Sequence, residues 1–409
     1  MNVRAAAFPD VAARLLAAAP HRLLFLVGAC NVLFAMAWWA AWLVAARWHG
    51  VDFPQPPVPA GWMHAVIMQY QVLPPFMFGF LLTVFPRWLA QRPFSPRHYL
   101  PVGAGLLGGQ LLTLAGLASN LWLLRAGGLL TIAGWSFGTF LLARTLVRAG
   151  GRPWHALSCL LALCFGLVGL AFYLALLFGA DARSAYVTIK FGALPMLLPI
   201  YFTVCHRMIP FFTEMVVPGY RIVRPAWTLA AAWVLLLAHL WMELRHAFQW
   251  LWMADIPLAA LFAGLLWTWW PRGAIPALLR VLYLGFAWLP IAFTLYALQS
   301  AWYLAAGEFV LGRAPAHALF IGYFGSLLVA MVTRVTQGHS GRALQLGGVA
   351  AVAFAIVQLT AVTRIVAELV TDSLAWQACA ALGWLLAFAP WVIRSGWIYL
   401  TPRADGQPG

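Results

Sequence analysis

Apolar runs of about 20 residues recur along the chain from near residue 22 to near residue 400. Each is long enough to cross the hydrocarbon core as a helix. The separators carry Pro, Gly and Arg: "HGVDFPQPPVPAG", "PRWLAQRPFSPRH", "RAGGRPW", "VVPGYRIVRP", "WPRGAIP", "GEFVLGRAP" and "QGHSGRA". This alternation predicts an all-α polytopic membrane protein of twelve transmembrane helices. They are expected at about 22–46, 61–85, 98–119, 121–147, 156–179, 184–206, 225–243, 247–270, 274–304, 314–335, 344–368 and 373–400. With no long polar gap, residues 1–409 read as a single integral membrane domain. Residues 1–21, with Arg4, Asp10 and Arg14, read as a short surface segment, and residues 401–409 as a cytoplasmic tail.

The charges orient this arrangement. Alternate loops of a twelve-span chain face opposite sides. Assigning each charge to its nearer membrane face puts 18 of the 25 Lys and Arg on the side of both termini and 7 on the other. The 10 acidic residues divide the other way, 3 against 7. One miscounted helix would invert the later loops and blur this bias. Both termini are therefore expected to be cytoplasmic. Trp62, Trp88, Trp154, Trp227, Trp270 and Trp302 fall at the proposed ends, where indole prefers the headgroup level.

Composition agrees. The chain is 64% hydrophobic and 9% charged, far from the roughly 25% charge of a soluble domain. The net charge of +15 belongs to cytoplasmic loops, because no basic run interleaved with aromatics suggests nucleic acid. The five cysteines lie in or beside apolar runs without a Cys-x-x-Cys pair, and read as small buried hydrophobes.

Ionisable groups within the apolar runs carry the candidate chemistry. His64, His239 and His317 lie inside predicted spans two, seven and ten, toward the non-cytoplasmic face. Neutral imidazole is the commonest metal ligand, and an opposed pair on two helices suits haem. Spacing alone leaves haem, copper and a proton path open, beside plain hydrogen bonding at the headgroups. Glu243 follows His239 by four residues and shares its helical face. Arg364 and Glu368 have the same spacing and are expected to pair. His49 and His246 fall near the outer surface, and His21, His98, His155, His206 and His339 at cytoplasmic helix ends.

Span two is further interrupted. Pro74 and Pro75 cannot donate backbone hydrogen bonds, which frees the carbonyls of Tyr70 and Gln71. His64, Met68 and Gln71 recur at helical spacing on one face. Span six repeats the device with Pro195 and Pro199 and adds Lys190. Such breaks read either as simple kinks or as the lining of a cavity. Spans two, six and ten all end in Arg, at Arg87, Arg207 and Arg334, which hints at three four-helix units. These arginines suit positive-inside anchoring or the binding of carboxylates.

The stretches "MHAVIMQYQVLPPFMFGFLLTVFPRW", "HRMIPFFTE", "HALFIGYFGSLLVAMVTRVTQGHSGRAL" and "YLTPRADGQPG" resemble the NnrS family of bacterial inner-membrane proteins, over nearly the whole chain. The resemblance implies a twelve-helix protein containing haem and copper, linked to the nitric oxide response. It implies no settled reaction. The positions that match the family pattern are His64, Arg87, Arg207, Pro210, Thr213, His317, Arg334, His339 and Arg342. One departure stands out. Where the family reads His-Ala-His-Glu-Met, this chain reads His64-Ala65-Val66-Ile67-Met68. A site that needs the second His and the Glu cannot form, which bears on copper more than on haem.

The resulting expectation is a multi-pass protein of the bacterial inner membrane that binds haem. His64 and His317 are the leading ligands, His239 a third or second-metal ligand, and Arg87, Arg207, Arg334 and Arg342 the candidates for anionic groups of the cofactor. Nitric oxide is the expected ligand or substrate, with haem-dependent redox chemistry if the chain is an enzyme. A cofactor-free twelve-helix permease is the alternative, suggested by the broken spans and Lys190.

Overall fold

The computed structural model describes residues 8–48, 52–118, 120–151 and 153–407, with side chains described from residue 11 onward. Arg4, His49 and the side chain of Asp10, named above, lie outside the described residues. The helices are α1 Phe8–Leu16, α2 Pro20–Arg47, α3 Ala60–Ile67, α4 Pro74–Trp88, α5 Pro96–Gly116, α6 Leu121–Ala149, α7 Trp154–Leu177, α8 Ala182–Phe191, α9 Leu198–Glu214, α10 Ala226–Leu244, α11 Trp252–Trp269, α12 Ala277–Ala306, α13 Ala314–His317, α14 Ser326–His339, α15 Gly348–Val366 and α16 Ser373–Tyr399. No strand occurs among the described residues.

Helix ends follow local chemistry. Pro20, Pro74 and Pro96 occupy first helical positions, where a missing N–H costs nothing. Asn120, Asp181 and Asp372 cap α6, α8 and α16 through their side-chain oxygens. Gly150 and Gly307 end α6 and α12 in the left-handed conformation, at φ 64° and 74°.

The chain is an all-α polytopic membrane protein, and eleven of its helical rods are long and apolar enough to cross a bilayer. The predicted span at 98–119 is the helix α5. Its 21 residues have the necessary length, but Pro96, Arg97, His98, Gln110 and five glycines make it less apolar than the others. It packs closely on α6 instead. An added Cβ at Gly105 would lie 2.6 Å from the Gly134 Cα, so the two backbones approach at glycine.

Three rods form the centre. The rods Ala60–Trp88, Ala182–Glu214 and Ala314–His339 are 89%, 67% and 72% buried over their apolar windows, against 33–56% for the other eight. These are predicted spans two, six and ten, so each hinted four-helix unit contributes its second helix to the interior. α16 packs back on α2, so the first and last long rods are neighbours. Phe76, Met77 and Leu81 of α4, Ile200 and Cys205 of α9, and Met331 of α14 line an apolar cavity of about 60 Å³.

Each central rod is interrupted by π-helix: Met68–Val72, Gly192–Leu197 and Ala318–Gly325. In the first two the cause is visible in the sequence, because Pro74, Pro75, Pro195 and Pro199 remove donors from the ladder. The carbonyls freed in span two are bonded within the protein. Tyr70 O accepts from Trp135 Nε1 at 3.1 Å, and Gln71 O accepts from Asn31 Nδ2 at 2.7 Å. Gln71 Nε2 donates to Thr113 and Thr131, tying the break to α5 and α6. The interruption is thus a packed joint, and the cavity next to it is apolar.

Candidate functional site

His64 and His317 stand at the same end of two central rods, His64 one turn before its π segment and His317 directly before its own. His64 closes toward Met68–Val72 from α3, and His317 is the last residue of α13, directly preceding Ala318–Gly325. Such wide turns reposition side chains that a regular helix would place elsewhere, and they are frequent at functional sites. Both rings are half-buried and lie within electrostatic reach of one another and of Arg364.

The two imidazoles are held differently. His317 Nδ1 lies 2.9 Å from the carbonyl oxygen of Arg313, one turn back. A carbonyl only accepts, so Nδ1 carries the proton and Nε2 of the neutral ring keeps its lone pair. His64 stacks on Trp39 of α2, with ring centroids 4.3 Å apart and planes 9° from parallel. Among the described residues neither nitrogen of His64 is hydrogen-bonded. Arg364, on α15, pairs with Glu368 at 2.5 Å as the spacing predicts, but it also belongs to this site. Arg364 and Trp39 are the site residues that sequence reasoning missed. They come from helices α2 and α15, and no motif links them to the histidines.

His239 sits elsewhere. It is fully buried on α10, with Nδ1 2.6 Å from Asp255 of α11 and Nε2 3.4 Å from Glu243. Glu243 also pairs with Lys190 of α8 at 2.5 Å and accepts from the Tyr186 hydroxyl at 2.8 Å. The result is a buried chain Lys190–Glu243–His239–Asp255 across three helices. Glu243 was legible as an i+4 neighbour, whereas Asp255, the closer partner, was not. Both His239 nitrogens face carboxylates, an arrangement that holds an imidazole between acids.

The candidate arginines occupy the opposite end. Arg334 lies on the same rod as His317, 17 residues on, or about 25 Å along a helix. Its guanidinium covers the Phe212 ring at 3.8 Å. Arg207 lies over Trp88 at 4.5 Å, and its own carbonyl accepts from Arg224. Arg87 lies near His21 and His339 instead, and Arg342 near Arg22. Pro210 is buried on α9, and buried Thr213 bonds the Tyr283 hydroxyl at 2.7 Å. His155 and His206 form a second pair, 3.0 Å between Nε2 and Nδ1, with His206 Nε2 2.9 Å from Thr228 Oγ1. Val66 and Ile67, which replace the family's His and Glu, are core residues at 2% and 1% exposure. Among the described residues no three His, Cys, Asp or Glu side chains are arranged to hold a metal ion.

Residues 15–403 match the family model described as NnrS protein. The chain belongs to the NnrS family. That match covers α2 to α16 in full and only the last two residues of α1. Among curated proteins, none matches the chain. Family membership and the helical rods together make it a multi-pass membrane protein whose partner is the lipid bilayer.

Proposed function

We propose that the chain is a haem protein of the bacterial cytoplasmic membrane that serves the nitric oxide response, with His64 and His317 as the haem ligands. The observation that carries the ligand assignment is the bond from His317 Nδ1 to Arg313 O, which leaves Nε2 free to donate to a metal. His64 faces the same region without a hydrogen bond to either nitrogen, and Trp39 fixes its plane. The donor set fits haem: two neutral imidazoles from two rods, an aromatic wall, and Arg364 as a cation for a propionate. Haem bound there supplies one-electron chemistry at its iron. His64 and His317 would be the two side chains that hold it. Of the two, His64 is held by stacking on Trp39 and not by a hydrogen bond, so it would be the ring freer to move aside for a small ligand such as nitric oxide.

The reading takes haem and leaves copper out, because Val66 and Ile67 supply no donor and His239 is engaged by Asp255 and Glu243. Arg87, Arg207, Arg334 and Arg342 are likewise not assigned to the haem, since they lie at the far end of the rods. The permease alternative draws no support from span two, whose broken backbone is bonded by Trp135 and Asn31.

The test is the visible spectrum of the purified protein, oxidised, reduced and with nitric oxide. A Soret band that is lost or shifted in His64→Ala and His317→Ala is the expected result. Absence of any Soret band from the wild type sinks the haem reading. A band unchanged in both variants sinks the ligand assignment.

A further inference from the structure

Six basic side chains from four separate segments converge at the Arg-bearing end of the bundle. His21 and Arg22 open α2, Arg87 closes α4, His339 and Arg342 lie at and beyond the end of α14, and Arg403 arrives with the C-terminal tail. The rings of His21 and His339 are 4.4 Å apart. Arg87 and Arg403 lie within electrostatic reach of both rings, and Arg403 and Arg342 within reach of Arg22.

Structure holds this group in place without neutralising it. Arg22 Nη1 donates to Tyr399 O and Thr401 O, both at 3.0 Å, and Arg403 Nη1 donates to His339 O at 3.1 Å. Among the described residues Asp405 is the one carboxylate brought to the cluster, and Arg403 holds it at 2.6 Å. Donors and ring nitrogens are left over. His21 is 5% exposed and its Nδ1 has no hydrogen-bond partner, nor has the buried Nη1 of Arg342. Among the described residues neither the Arg87 guanidinium nor the His339 ring is hydrogen-bonded.

Four guanidiniums against one carboxylate create a positive potential that repels a metal dication. The two imidazoles therefore do not read as a metal pair. Partly buried positive charge without counter-charge is unfavourable, and an anion relieves it. Guanidinium forks match the oxygen spacing of phosphate. Basic pockets between membrane helices on the cytoplasmic side suit phosphate headgroups for the same reason.

We propose that His21, Arg22, Arg87, His339, Arg342 and Arg403 form a binding site for a phosphate oxyanion, carried by an anionic phospholipid or free in solution. The site is separate from that of His64 and His317, which lies at the other end of the same rods.

The experiment is thermal unfolding of the full-length purified protein. One arm adds inorganic phosphate, and the other adds mixed micelles of phosphatidylglycerol in phosphatidylcholine. The unfolding midpoint is expected to rise in at least one arm. The double variant Arg87→Gln/Arg342→Gln, which removes one exposed and one half-buried guanidinium, is expected to weaken the apparent affinity roughly ten-fold or more. A response to phosphate identifies a free anion, and a response to phosphatidylglycerol alone identifies a headgroup. The proposal is overturned by no rise in either arm, by an equal rise with chloride at matched ionic strength, or by equal affinity in variant and wild type. The readout does not depend on haem content, so its failure leaves the haem reading standing.

Discussion

The imidazole of His239 meets the carboxylate of Asp255 at 2.6 Å in a fully buried setting, while its other nitrogen faces Glu243. Two helices are joined here through one ring, and Lys190 extends the chain to a third. Every charge in it has a partner, which is what permits ionisable groups to sit inside an apolar bundle.

Removing one member leaves its neighbour charged and unpaired. Asp255→Ala and Glu243→Ala are each expected to destabilise the protein by about 3–5 kcal/mol, whereas replacing the whole set by apolar residues of similar volume should cost far less. Chemical unfolding of the purified variants measures both. Equal losses in the single and the complete replacements would show that packing, and not pairing, sets the stability.

The joint in span two makes a second prediction. Asn31→Leu leaves the Gln71 carbonyl without a donor, and Trp135→Phe does the same to Tyr70. Each change should cost about 1–3 kcal/mol, beyond any change in apolar contact. A rise in backbone hydrogen exchange confined to residues 68–76 would locate the effect at the joint.

The α5–α6 contact depends on glycine. Gly105→Ala places a methyl 2.6 Å from the Gly134 Cα, and backbone cannot rotate away from it. The helices must separate, at a cost of about 1–3 kcal/mol. Cysteines placed along the two helices should cross-link less readily in the variant if the contact opens as described.

The C-terminal tail is expected to respond to acid. Arg403 holds the Asp405 carboxyl down at about 2, below the ordinary carboxylate range. A carboxylate lowered on folding stabilises the folded form above its unfolded value, and that contribution is lost as pH falls through the folded one. The contribution of this pair to tail docking should therefore be complete from neutral pH down to about 4 and fade between there and about 2. Proteolysis of the tail by an acid-active protease reads this, and Asp405→Asn should remove the acid-dependent part of its protection.

The sequence by itself determined the membrane class, the all-helical build and most span positions, because apolar length and the sign of loop charge act locally. It also marked the central rods. Paired prolines at 74–75 and at 195 and 199 announce a break wherever they occur, and the freed carbonyls of Tyr70 and Gln71 could be named in advance. His64 and His317 were legible for the same reason, as polar groups in runs otherwise built for lipid.

Tertiary structure decided what those groups meet. Asn31 and Trp135 close the broken backbone from two other helices. Asp255 takes His239, which spacing had paired with Glu243. Trp39 and Arg364 join His64 and His317 from α2 and α15, while Arg334 lies about 25 Å from His317 along their shared rod and the other candidate arginines stand at that same far end. Local patterns fix depth in the membrane and the face along one helix. Which helices stand side by side depends on close approach at glycines and on partners in other helices, distant in the chain, and neither leaves a periodic trace in the sequence.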